Sequence, residues 1–502
     1  MVDKNQLAGK EIARERMRRI ISVIRRISWA TLLVALPVTS FPFFPPAMGG
    51  DALVRPLSVY PLIILVFLVV LPRLSKGSIP KTMLTLLPFV LVATISSLLS
   101  LFRGIEPVFG ISVTARVLRG MVTLAIGCAF YFTIALLPEN IDDLRFSLRW
   151  IFVGCTMALF WGALQAINIV SPNEKWFAFL EKAQNFISIR RLNPERIVGL
   201  TYEPHWFAEQ IILLIIPWSL SAILTNYTVF RWRWHRLTIE WLLLGCSILL
   251  LPFTYSRSGL MGLIILILLG VLLIKPRKAP ETSAILPETK FRIPIRKPFI
   301  KRLMEISLAL ILVLVPIYII GSRNPFFARL WKYWHERNTD ISAYFTALGF
   351  DARIIYSQAA LKTYINYPIL GVGLGNYAFY FEEMLPYSPI AEVPEVLLMI
   401  TPESGRDRLI TSKNLYLRLL AETGIIGAST FLAFIIANLG CALYLWLSPV
   451  WEHKYWGTAS LLGLIAFAFS AFTFDSFVIP DTWVLFGLIT STTRVITHSF
   501  RC

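Results

Sequence analysis

The chain has 502 residues, 56% of them hydrophobic and only 16% charged, with a formal net charge of +18 and a mean hydropathy of +0.65. So apolar a composition excludes a soluble multidomain protein and marks a polytopic, all-α membrane protein. The positive excess gathers in short segments between apolar runs and no basic-aromatic module is present, so it reads as topology-setting loop charge rather than a nucleic-acid surface.

Residues 1–27 form a basic run (Lys4, Lys10, Arg14, Arg16, Arg18, Arg19, Arg25, Arg26) that enters the first apolar stretch without a small-residue cleavage site, so a retained first span is expected. A bilayer-crossing helix needs about 20 mostly apolar residues. About twelve stretches qualify: 28–47, 57–72, 83–102, 118–137, 150–170, 206–225, 239–256, 258–275, 303–321, 423–446, 456–475 and 481–496. With the N-terminus inside, twelve spans place every basic connector on the cytoplasmic side. These are Arg73/Lys76/Lys81, Arg145/Arg149, Arg231/Arg233/Arg236, the Pro-rich and Lys/Arg-rich linker 276–302, and Arg494/Arg501. Four cysteines (Cys128, Cys155, Cys246, Cys441) lie within spans and Cys502 is terminal, which gives no disulfide framework.

The same parity places three segments outside. One, about 103–117, carries Arg103 and Arg116. The second, 171–205, holds an amphipathic piece (Trp176, Phe177, Phe179, Leu180) and then Arg190, Arg191, Arg196, Glu203 and His205. The third, 322–412, is too long for a connector. It opens on aromatic and basic residues (Phe326, Phe327, Arg329, Trp331, Tyr333, Trp334, His335) suited to an interface. It then shows a helical pattern over Asp351–Tyr364, and Tyr367-Pro-Ile-Leu-Gly-Val-Gly-Leu-Gly-Asn-Tyr377. Pro368 stops the helix, and Gly371, Gly373 and Gly375 permit sharp turns or close approach. Asn376 stands where a dinucleotide loop needs its third glycine and no strand-helix-strand unit surrounds it, so that reading is rejected.

Thr411-Ser-Lys-Asn-Leu-Tyr-Leu-Arg-Leu-Leu-Ala-Glu-Thr-Gly-Ile-Ile-Gly427 closes this loop and opens the next span. Ser412 is the expected N-cap, and Asn414, Arg418 and Glu422 make a polar stripe at i, i+4, i+8 that faces protein or water. Lys413 would then fall at the first helical position. The macrodipole disfavours a cation there by about 0.3–1 kcal/mol, and with an anion present lysine and free N–H groups would form an anion site.

No HExxH, Cys/His cluster, Walker loop or GxSxG is present, so neither a metal nor a cofactor is expected. The five histidines are scattered, with His235, His453 and His498 on the cytoplasmic side. What remains is a set of ionisable groups at the outer edges of spans: Arg196, Glu203, Arg257, Arg353, Lys413, Arg418 and Glu422. Arg257 is the most telling. The connector Tyr255-Ser-Arg-Ser258 is so short that its guanidinium must lie close to the membrane surface and needs an anion, whether Glu203 or Glu422 from within or a lipid phosphate or diphosphate from outside.

With these pieces in place the chain resembles the O-antigen ligase and O-antigen/exopolysaccharide polymerase family of bacterial membrane glycosyltransferases. The resemblance rests on Thr254-Tyr-Ser-Arg-Ser-Gly259, on Arg353 ahead of the Gly371/Gly373/Gly375 segment, and on Asn414–Gly427, in that order and around a long outer loop. It implies a GT-C-like helical fold in the bacterial inner membrane, with both termini cytoplasmic and the site on the periplasmic face. The implied reaction takes a glycan from undecaprenyl diphosphate, without metal, to an acceptor hydroxyl with inversion. Arg257 and Arg353 would hold the diphosphate, with Lys413, Arg196 and Arg418 beside them.

Ligases of the family carry a histidine where this chain has Lys413. Lysine titrates at about 10.4 in water and could act as a base only if burial or neighbouring arginines lowered it strongly, so Lys413 is read as a phosphate ligand, Glu203 is the next candidate for the general base and Glu422 the third. Glu203-Pro-His-Trp-Phe-Ala is similar to the Glu-Pro-x-x-Phe element of some exopolysaccharide polymerases, which favours polymerase over ligase. A polymerase would work beside a flippase and a chain-length regulator. A transporter or lipid flippase would also have about twelve spans, but it predicts broken helices with midplane charges in both halves, whereas the polar groups here gather on one face.

Overall fold

The computed structural model describes residues 4–44, 54–77, 79–230, 232–235, 237–273, 350–386, 393–401 and 409–499, with isolated positions between 311 and 344. It is a helical bundle. Its helices are α1 (Lys4–Val34), α2 (Val59–Ser75), α3 (Lys81–Ser100), α4 (Val113–Leu136), α5 (Ile141–Val170), α6 (Glu174–Gln184), α7 (Pro204–Thr225), α8 (Ile239–Thr254), α9 (Arg257–Leu273), α10 (Asp351–Asn366), α11 (Tyr377–Tyr380), α12 (Pro394–Ile400), α13 (Leu415–Leu447), α14 (Trp451–Ser470) and α15 (Pro480–Ser499). A two-residue hairpin pairs Arg233–Trp234 with Leu237–Thr238. Helices α3, α4, α5, α7 and α13 are long and apolar enough to cross a membrane, and α2, α8 and Arg257–Gly270 of α9 are shorter apolar helices.

One expectation changes. The stretch 28–47 is helical only to Val34, because α1 begins within the basic run and Pro37 and Pro42 cannot continue it. In the 413–446 region α13 breaks at Gly424, next to the start of the expected span 423–446. The linker 276–302, most of the span 303–321, and the aromatic-basic opening of the loop at 326–335 lie outside the described residues.

Two helices widen for one turn, at Val66–Val70 in α2 and Ile211–Ile215 in α7. Both turns precede a proline, Pro72 and Pro217. A proline ring meets the carbonyl four residues earlier, and the wider turn moves that carbonyl aside.

Helix α7 is the axis of the bundle: 89% of its apolar window is buried, and α5, α8, α9, α14 and α15 pack around it. Such a helix is apolar on all sides because it meets protein on all sides. Its N-terminus, with Glu203 and His205, is thereby fixed at one end of the bundle. Helix α4 lies along α15, and α13 and α14 form an antiparallel hairpin.

A second, smaller core gathers Ala352, Ile355, Tyr356, Ala359, Val372, Tyr377, Phe381 and Val396 from α10, α11, α12 and the glycine segment, together with Ala421 of α13. The glycine segment is the joint between this core and the bundle. At Gly424 the α13 backbone turns to φ 65°, ψ −170°, a conformation open essentially to glycine alone. This opens the helix to hydrogen bonding. Val372 N–H donates to the Ala421 carbonyl at 3.0 Å, Gly373 N–H to that of Glu422 at 2.8 Å, and Ile425 N–H to that of Pro368 at 2.8 Å.

Helices α3 and α4 hold the other side of the segment. Ser97 Oγ accepts from Leu374 N–H at 3.0 Å, and Asn376 Nδ2 donates to Ser100 Oγ at 2.7 Å. Arg103 and Arg116 donate to the carbonyls of Gly371 and Gly375 at 3.0 and 2.8 Å. All three glycines have positive φ, so the spacing Gly-x-Gly-x-Gly is a backbone lock between two helices. The two arginines of the 103–117 segment serve that lock.

A Cβ at Gly424 would lie 2.2 Å from the Ile369 carbonyl oxygen. Gly424→Ala is expected to lower stability by about 3 kcal/mol or more, read as a lower Tm of the detergent-solubilised protein. Gly440→Ala, on the same helix with open space around it, should not lower the Tm.

Candidate active site

The start of α13 differs from expectation. Asn414, not Ser412, is the N-cap: its side chain accepts from the N–H groups of Tyr416 and Leu417 at 3.0 and 3.2 Å. Lys413 precedes the helix with φ 56°, and its N–H donates to Asp475 Oδ2 at 3.0 Å. Leu415 N–H donates to the Ala471 carbonyl at 2.8 Å. Every leading donor of this helix therefore has a partner, and the expected anion site on its free N–H groups is not formed. Lys413 can meet an anion only through its side chain.

The dipole argument passes instead to Arg257. It is the first residue of α9, where Ser256 Oγ accepts from Gly259 N–H at 3.2 Å and the helix end disfavours a cation. The turn before it is tight, with Tyr255 at φ 49°. The Arg257 guanidinium stands over the Phe350 ring, 5.2 Å from its centroid. Phe350 is the residue before α10, so this contact brings Arg257 towards Arg353 on the first turn of that helix. Arg353 donates one long bond, 3.4 Å, to the Thr473 carbonyl.

The segment 185–203 supplies the facing wall and is pinned along its length. Gln165 Oε1 accepts from Val198 and Gly199 N–H at 2.8 and 3.2 Å. Ile197 N–H donates to the Phe253 carbonyl at 3.0 Å, and Arg196 Nε donates to the Thr254 carbonyl, also at 3.0 Å. Arg190 forms an ion pair with Glu203 and lies over the Tyr202 ring at 5.0 Å. Glu203 is the residue before α7, and His205 Nδ1 is 3.9 Å from its Oε2.

These elements surround one recess. His205 lies in the electrostatic field of Arg353, Lys413, Arg196 and Arg190, and Arg196 in that of Arg190 and Arg257. Five cations from four parts of the chain thus face each other, and among the described residues Glu203, Asp475 and Glu395 are the carboxylates set against them. Burial, with Arg190 and Arg257 adding to it, pulls Arg196 down to about 10. Burial also lowers Arg353, against the pull of Glu395 and Asp475. Cations crowded and desolvated in this way favour a bound anion.

Of the residues singled out in the sequence, Arg196, Arg257, Arg353, Lys413 and Glu203 come together here. Arg418 and Glu422 do not share that opening: they form a buried ion pair at 2.9 Å, with side chains 9% and 2% exposed. Arg418 also donates to the Asp475 carbonyl and stacks on Phe477 at 5.1 Å. The stripe they form with Asn414 faces protein, and their charges are spent on each other. Glu203, a candidate base, is likewise engaged by Arg190.

Two residues of the recess escaped the sequence reading. Arg190 lay in a basic run without a distinguishing spacing, and His205 was one of five scattered histidines. The latter's only signal was its place in Glu203-Pro-His205. Among the described residues no three of His, Cys, Asp and Glu gather as a metal site would require.

An anion placed among these cations should stabilise the fold by about 2.7 kcal/mol at a concentration 100 times its Kd. Inorganic pyrophosphate is therefore expected to raise the Tm of the solubilised wild type more than chloride of equal ionic strength. Arg353→Ala should lose most of that increment.

No curated protein matches the chain. Residues 242–432, which run from α8 through α9, α10 and the glycine lock into α13, match the family model described as O-antigen ligase. That stretch contains Arg257, Arg353, Lys413 and the break at Gly424.

Proposed function

We propose that the protein is a membrane glycosyltransferase of the ligase/polymerase type, taking a glycan from a lipid diphosphate and transferring it to an acceptor hydroxyl. The observation that carries this reading is the recess of five cations at the end of α7, with two arginines on elements that meet at Phe350. Arg257 and Arg353 hold the diphosphate, since a planar guanidinium pairs with phosphate oxygens two at a time. Lys413 and Arg196 add charge beside it. As the bond from the anomeric carbon to the diphosphate breaks, negative charge grows on the leaving oxygen. Cations already in place stabilise that charge without reorganisation. Attack on the opposite face of the sugar inverts its configuration, and the chemistry calls on no metal.

The full architecture in this reading is about twelve spans of GT-C-like type in the bacterial inner membrane. Both termini are cytoplasmic and the recess opens to the periplasm, as the distribution of basic connectors requires. Undecaprenyl diphosphate is the donor carrier. We favour polymerisation, in which the growing chain passes to the next lipid-linked unit, alongside a flippase and a chain-length regulator. The Glu203-Pro-His205 element and the lysine at position 413 support that choice. The family's description supports the second reading, transfer to a lipid core or a protein.

Arg257→Ala and Arg353→Ala are each expected to reduce transfer by about 10²–10³-fold, with lipid-linked donor accumulating on the outer leaflet of whole cells. Accumulation on the cytoplasmic leaflet would point to transport instead. Lys413→Ala should weaken donor binding, read as a raised donor KM, and unchanged kinetics would remove Lys413 from the site. Lengthening of lipid-linked single repeats by purified membranes would distinguish polymerase from ligase.

A further inference from the structure

We propose that His205 receives the proton of the acceptor hydroxyl, an assignment that rests on the glycan-transfer reading above. The three carboxylate and amine candidates for this task are each compromised by their contacts. Glu422 is spent on Arg418 in a buried pair. Glu203 is paired with Arg190. Lys413 has its backbone N–H held by Asp475 and lies with Arg353, Arg196 and Arg190 around His205. His205 stands beside Glu203 and among Arg353, Lys413, Arg196 and Arg190.

Its position suits the role. It stands on the first turn of α7, the most enclosed helix of the bundle, and so its backbone is fixed. Its side chain is nonetheless 37% exposed, open to the recess. Nδ1 is 3.9 Å from Glu203 Oε2, too long for a hydrogen bond. Nε2 is then the atom left to meet an acceptor.

A floor for the acceptor sugar adjoins it. Tyr202 and Trp206 are 5.6 Å apart, Trp206 and Phe474 are 6.5 Å apart, and all three rings are half-buried. Such rings can meet the apolar face of a sugar while its hydroxyls point to the charged groups.

In the step so assigned, the acceptor oxygen forms a bond to the anomeric carbon and its proton passes to His205 Nε2. The bond from that carbon to the diphosphate oxygen breaks, and its electron pair leaves on the diphosphate between Arg257 and Arg353. Charge is conserved: the imidazole gains the proton and the lipid diphosphate gains the negative charge.

The test uses the full chain in lipid nanodiscs, a synthetic undecaprenyl-diphosphate-linked oligosaccharide, and the variants His205→Gln and His205→Ala, each measured with and without added imidazole. Loss of a general base should lower kcat by about 10²–10⁴-fold in both variants. Donor KM should move by less than about threefold. Imidazole should restore part of the rate in His205→Ala, where space is opened, and not in His205→Gln. Wild-type kcat in either variant, a loss confined to donor KM, or a fall in kcat that imidazole does not restore and that follows a lowered Tm would each overturn the assignment. A wild type that transfers no glycan in this system would overturn the glycan-transfer reading itself, and the His205 assignment with it.

Discussion

The structure depends on a break in one helix. Glycine at position 424 lets α13 present carbonyls and an N–H sideways, and the segment Pro368–Asn376 fills that opening with hydrogen bonds that would otherwise belong to the helix. Buried backbone groups cannot be left unpaired, so the break and the inserted loop require each other. Their union fixes α10 against the bundle, and through Phe350 it sets Arg353 near Arg257. Without the glycine lock the second core would have no defined place on the membrane-crossing helices.

Charge is handled in two ways at this end of the molecule. Below the recess, Arg418 and Glu422 are buried as a pair, with the Asp475 carbonyl taking a further guanidinium donor. Removing one partner there would leave a buried charge uncompensated, a cost of about 3–5 kcal/mol. In the recess itself the cations outnumber the carboxylates among the described residues, and burial works against Arg196 and Arg353. The first arrangement stabilises the fold on its own. In the proposed function, the second arrangement serves the charge that grows on a diphosphate leaving group.

Much of the framework was legible in the sequence because it follows from local rules. Apolar runs gave the helices outside the undescribed stretches, Pro368 ended α10, and the three glycines announced positive φ. Arg257 was legible because so short a connector leaves a guanidinium nowhere to go. The cap of α13 was not: Ser412 and Asn414 are both good caps, and the choice is made by Asp475, 62 residues on, which takes the Lys413 N–H. The pairing of Arg418 with Glu422 followed from their i, i+4 spacing, but that the pair is buried and closed to substrate did not. His205 was hidden for the same reason, since the cations that give it meaning lie at positions 353 and 413. Local patterns specify elements; the composition of a site assembled from distant elements is a property of the packing.

The central claim is that the recess at the end of α7 is built for a lipid-linked diphosphate. Its most direct test is an electron cryo-microscopy map of the protein in nanodiscs with a non-reacting undecaprenyl-diphosphate glycan. The diphosphate is expected about 3 Å from the guanidinium nitrogens of both Arg257 and Arg353, with the sugar reaching towards His205. Density for the diphosphate at another site, such as the Arg73–Arg494 end of the bundle, with the recess empty, would contradict it.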